Sequence, residues 1–88
     1  MTTLQKSLDT TEWVDTGFVA PCLVEHVSGQ VPVRVAVAAA VGDLANIDGH
    51  ELAAQDDRVN CRIQFGGTSK VFAKLDRAGV AKLVASPV

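Results

Sequence analysis

The stretch Val31-Pro32-Val33-Arg34-Val35-Ala36-Val37-Ala38 decides the fold class. Its valines occupy every second position, and alternate residues of a strand face opposite sides of a sheet, so it reads as a half-buried β-strand. Before it lies Phe18 to Val27, also strand-like and interrupted at Pro21. Proline has no N–H to give to a ladder, so this strand must be an edge or bulged there. Ser28-Gly29 is a turn signal between the two runs, and the pair is predicted to form a β-hairpin.

The same period continues away from this centre. Trp13-Val14 begins a short strand that ends near Asp15-Thr16-Gly17. Downstream, His50 to Ala54 reads as a short strand followed by a polar loop at Gln55-Asp56-Asp57. Val59, Cys61, Ile63 and Phe65 alternate with polar residues. Val71, Ala73 and Leu75 alternate with Lys70, Phe72 and Lys74, and Val80 to Val84 is the last strand. Gly66-Gly67 reads as a hairpin turn. It resembles a phosphate loop only superficially, because the first glycine of that motif is missing and no helical pattern follows. Ala38 to Ile47 is ambiguous: three consecutive alanines favour helix, while Gly42 and Asn46 break it.

Six or seven short strands with regular turn signals predict an all-β fold, a small antiparallel β-sandwich or barrel. Residues 12–88 form its single domain. Residues 1–11, polar with Leu4 and Leu8 four apart, read as an N-terminal arm with at most one helical turn, either lying over a neighbour or a frayed tail.

The chain has 88 residues, of which 48% are apolar and only 5% aromatic. Its core must therefore be built from Val, Ala and Leu. A domain of this size buries only about 60–65% of its unfolded surface, which favours help from partners or copies of itself. No apolar run is long enough for a membrane helix, and no basic patch precedes an apolar stretch near the N-terminus, so neither a membrane nor a secretory signal is expected. Cys22 and Cys61 lack metal-ligand spacing and are expected to be buried thiols, with a Cys22–Cys61 disulfide as the lesser alternative.

Net charge is −2, which argues against a dedicated nucleic-acid binder. Residues 1–57 hold two bases and nine acids (−7), and residues 58–88 hold six bases and one acid (+5). Either the two halves pair inside one sheet system, or oppositely charged faces meet between copies.

No residues form a convincing reaction centre, and neither an enzyme activity nor a cofactor is expected. Glu25 and His26 are strand neighbours and point to opposite faces. Asp48-Gly49-His50-Glu51 holds ligand-type atoms but reads better as a turn entering a strand. Arg62, Lys70 and Lys74 are predicted to share a polar face, with Phe72 beside the lysines. An outward Phe72 would need covering by a second subunit or a second sheet. Leu4, Leu8, Trp13, Lys70, Phe72 and Lys74 are therefore the candidate interface residues.

In strand order the chain resembles the small all-β virion proteins of tailed bacteriophages that decorate capsids or form head fibres. The likeness rests on Trp13-Val14-Asp15-Thr16-Gly17, the runs Cys22 to Gly29 and Val31 to Val35, Asp48 to Leu52, Ser69 to Lys74, and the ending Leu83-Val84-Ala85-Ser86. The Ala-rich segment 36–41 departs from it. The resemblance implies a non-catalytic structural protein, often a homotrimer, bound to the major capsid or another virion protein. It implies residence in the virion, with host cytoplasm as the place of assembly. The alternatives are a tail or baseplate component, or a small monomeric module, an inhibitor or adaptor, that engages a host protein through a strand edge.

Overall fold

A computed structural model describes residues 3–29, 31–45, 47–53 and 61–87. Among these residues there are eight strands: β1 (Leu4–Leu8), β2 (Val14–Val19), β3 (Cys22–Ser28), β4 (Val33–Ala38), β5 (His50–Leu52), β6 (Arg62–Phe65), β7 (Lys70–Leu75) and β8 (Ala81–Ser86). A short 3₁₀ turn, Val41–Leu44, lies between β4 and β5. One four-stranded sheet has the order β1-β8-β3-β6 and the other β2-β7-β4-β5, with every pairing antiparallel. The fold is an open sandwich and does not close into a barrel.

Successive strands change sheet at every connection except β4 to β5. The first four strands run out and the last four return alongside them, so β1 meets β8, β2 meets β7, β3 meets β6 and β4 meets β5. This is the connection pattern of a double-sheet jelly roll. It also sets strands of the acidic half beside strands of the basic half within one chain, with Glu25 directly across from Arg62, while β4 and β5 pair within the acidic half.

Four sequence expectations are corrected. Leu4 to Leu8 is not an arm: it is strand β1, hydrogen-bonded along β8, and its Leu8 is 2% exposed in the core. The run from Phe18 to Val27 is not one strand, because the chain turns from one sheet to the other at Ala20-Pro21. The runs on either side of Ser28-Gly29 do not form a hairpin, and neither do those flanking Gly66-Gly67, because each connects strands of different sheets. Alternation tells which face a residue occupies and not which strand lies beside it. Both flanks of β3 are taken, by β8 and β6, so β4 has no place there. Gly29 fits the tight crossing: its φ is +100°, and a Cβ there would sit 2.5 Å from the Val80 carbonyl oxygen. The expected polar loop at 55–57, and Ala54, Val59 and Asn60 of the expected strands, lie outside the described residues.

The face assignments follow the predicted alternation. Val33 and Val35 point inward with Val71, Ala73 and Leu75. Cys22 and Val24 point inward with Ala81, Leu83 and Ala85. Phe18 and Phe65 are the aromatics of this layer. Leu83→Ala on β8, which has strands on both flanks, is expected to cost about 3 kcal/mol of unfolding free energy, against about 1 kcal/mol or less for Val84→Ala on the outer face. Equilibrium urea unfolding checks the difference.

Candidate interface on the outer face of the second sheet

Strand β7 alternates as the sequence suggested, with Lys70, Phe72 and Lys74 on its outer side. Phe72 is nevertheless only 3% exposed. Its cover comes from the same chain. Phe72, Ala36 and Leu44 make a second small core, with Trp13 and Ala38 packed against it. Leu44 is delivered by the 3₁₀ turn in the segment whose sequence was ambiguous. There the Ala40 N–H donates to the Asp43 carboxylate at 3.3 Å, and the Asp43 N–H donates to the Ala40 carbonyl at 3.1 Å. Trp13 approaches from just before β2. The Lys74 ammonium lies 4.7 Å from the centre of its ring, a cation–π contact worth about 0.5–1 kcal/mol at a surface site. Gly49 makes room for the indole: its φ is +77°, and a Cβ there would lie 2.7 Å from the Trp13 ring edge.

Beside this cluster is a recess of about 320 Å³ between Trp13, Asp15, Val41, Lys70 and Phe72, completed by Ala39 and Ala40. Val41 is 49% exposed, and the exposed Val19 lies across from Lys70 on β2. No carboxylate of the described residues forms an ion pair with Lys70. Of the six candidate interface residues, the fold thus brings Trp13, Lys70, Phe72 and Lys74 together on one face. Leu8 is in the main core, and Leu4 lies on the edge strand of the other sheet, 37% exposed. Val41 and Val19 were missed by sequence reading, because Val41 sits in the ambiguous segment and Val19 in the strand that was joined across Pro21.

Arg62 does not share this face. It lies in the first sheet across from Glu25, while Lys70 and Lys74 lie in the second. Arg34, also unforeseen, is the most connected charge on the outer face of the second sheet. Its guanidinium donates to Asp76 at 2.8 Å and Glu51 at 3.2 Å, and the hydrogen bond to Asp76 pushes its already high pKa further up. This network joins β4, β5 and the turn after β7. Its carboxylates are partly exposed, so it orders the surface more than it stabilises the fold.

A larger recess, about 600 Å³, crosses the ends of β1, β8 and β3, with Lys6 and Lys82 beside Ser7, Ser28 and Val80. Among the described residues, no three His, Cys, Asp or Glu side chains converge to hold a metal ion. The Asp48 to Glu51 turn commits Glu51 to Arg34. Glu25 faces out and His26 is buried, so the two do not meet. Cys22 and Cys61 are buried and no disulfide joins them. Burial pushes the Cys22 thiol up from its ordinary value.

No family model, curated protein or solved structure matches this chain.

Two predictions follow from the geometry of this face and core. Trp13→Ala uncovers Phe72 and is expected to cost about 2 kcal/mol, whereas Leu4→Ala costs about 0.5 kcal/mol or less, both read from denaturant midpoints. Cys22 is expected to react with iodoacetamide at least roughly tenfold slower in the native protein than in urea, because only the thiolate is nucleophilic. Peptide mapping after a timed quench measures the ratio.

Proposed function

We propose that the protein is a bacteriophage virion protein that binds the capsid surface as a homotrimeric decoration or head-fibre subunit, and that the outer face of the second sheet is its contact. The observation that carries this reading is the recess beside Trp13 and Phe72. It is a concavity of mixed polarity, with Trp13, Phe72 and the exposed Val41 beside Asp15 and Lys70, and with the exposed Val19 across from Lys70. Buried aromatic anchors with a polar margin are the usual anatomy of a protein contact. Trp13 and Phe72 are already fixed by intrachain packing, so a partner would order few side chains on binding. The jelly-roll pattern supports the reading at the level of architecture, since it recurs in viral capsid domains, although it also occurs in lectins and cupins. The protein acts here by adding buried area per copy, repeated by symmetry, without catalysis.

A tail or baseplate position would use the same face. The strand-edge alternative has support of its own: β1 is an edge strand of five residues in unbroken register with β8 and without proline. Other edges are shorter or bulged, as in β5 with three residues and β2 with its register shift before Val19. Such an edge can accept an added strand.

Val41→Asp and Lys70→Glu change exposed side chains and are expected to leave the melting temperature unchanged within about 2 °C. They are expected to convert the oligomer to monomer by light scattering across a hundredfold dilution, and to abolish co-sedimentation with capsids of the phage that encodes the protein. Phe72→Asp is not a suitable probe, because a carboxylate in its place would be buried without a partner and would unfold the sheet. A wild-type chain that is monomeric at every concentration and does not sediment with capsids overturns the proposal in favour of the strand-edge module.

A further inference from the structure

His26 is the buried polar side chain whose hydrogen bonds cannot both be made by a neutral ring. It is 2% exposed, on the inner face of β3. Its Nδ1 lies 2.8 Å from the carbonyl oxygen of Ala53, just past β5 in the other sheet. Its Nε2 lies 2.9 Å from the carbonyl oxygen of Ser28, two residues along its own strand. The β3–β8 register shifts between His26 and Ser28, which places the Ser28 carbonyl beside the ring and not in step with the regular ladder. Both partners are carbonyls, and carbonyls only accept. A neutral imidazole carries one N–H and one bare nitrogen, so it satisfies one of these contacts and sets lone pair against lone pair at the other. The imidazolium carries two N–H groups and satisfies both, with charge-assisted bonds.

Among the described residues the ring is held by these two carbonyls, and no ion pair to it is present. From β8 it meets Leu83 across the ladder, and the inner faces of β4 and β7 are Val, Ala and Leu. On the segment leading into β6 the titratable side chain is Cys61, whose carbonyl accepts the His26 backbone N–H at 2.8 Å. On β5 the titratable group on the Leu52 side is His50, which is solvent-exposed and packs edge-on against Phe65. On its own strand Cys22 shares the inner face, while Glu25, and Arg62 and Lys82 on the neighbouring strands, face outward. Asp56, Asp57 and Arg58 lie outside the described residues.

We propose that the fold holds His26 as a doubly protonated clamp between β3 and the end of β5, so that raising the pH through the loss of one ring proton weakens the tie between the two sheets. The sign follows from proton counting. The folded protein keeps two ring protons where the unfolded chain, near neutrality, keeps one. Stability therefore falls as pH rises across that window, by at most tenfold in the folded-to-unfolded ratio per pH unit for a single proton. The inference is independent of the interface reading.

The test is long-range ¹H–¹⁵N NMR of the histidine rings in the whole wild-type chain between about pH 5 and pH 8, with the exposed His50 as internal comparison. Expected are two protonated ring nitrogens on His26 at a pH where His50 has lost one proton. A His26 ring that loses its second proton at or below the pH at which His50 does overturns the proposal. His26→Gln, with a single donor group, is expected to flatten the pH dependence of the urea midpoint over the same range. An undiminished dependence in that variant also overturns it, and a variant that fails to fold leaves the wild-type spectrum to decide.

Discussion

Strands β3 and β8 in one sheet and β4 and β7 in the other have neighbours on both flanks and the opposite sheet over their inner faces, and the rest of the sandwich hangs on these four. Leu75 and Leu83 are each 1% exposed or less as a result. In a domain whose core is mostly Val, Ala and Leu, each side chain contributes little area, so the area must come from enclosure on every side. Central strands provide that, and in each sheet one of the two central strands comes from the last third of the chain. The nested pairing makes this possible with short connections, because each strand of the first half finds its partner in the second half.

That arrangement explains which parts of the fold were legible in the residues. Faces were legible. Val33 and Val35 inward with Arg34 outward, and Val71 and Ala73 inward with Phe72 outward, follow from alternation alone. Partners were not. Pro21 and the Ser28-Gly29 turn mark places where the chain changes direction, and a change of direction looks the same locally whether the next strand stays in the sheet or crosses to the other. Leu4 and Leu8, spaced like one face of a helix, were misleading because Lys6 between them shares their side of a strand. Nothing in that five-residue stretch announces the hydrogen bonds that β8 supplies.

The candidate face was legible in part for a similar reason. Phe72 between two lysines was identifiable as an outward aromatic that needed a cover. The cover itself, Leu44 with Trp13, depended on how the alanine-rich segment resolved and on a tryptophan 59 positions earlier in the chain. His26 could not have been found from its neighbours at all, because its significance comes from two backbone oxygens, and backbone carries no sequence signature. Both features exist because the outer layer of one sheet and the seam between the sheets were finished with residues distant in the chain.

The order in which the strands are made has a kinetic consequence. Of the pairings, only β4 with β5 joins consecutive strands, and every other closes a longer loop. Such closures cost entropy before their contacts repay it, which slows folding. During synthesis the second sheet can assemble once β7 has emerged, but the first lacks one of its two central strands until β8 is available. Until then β1 and β3 have no common partner, and the inner faces of β2, β4 and β7 stay open to water. The nascent chain therefore passes through a half-built state that offers the same apolar layer to any other copy nearby, and the last few residues of the domain decide whether that layer is closed within one chain or between two.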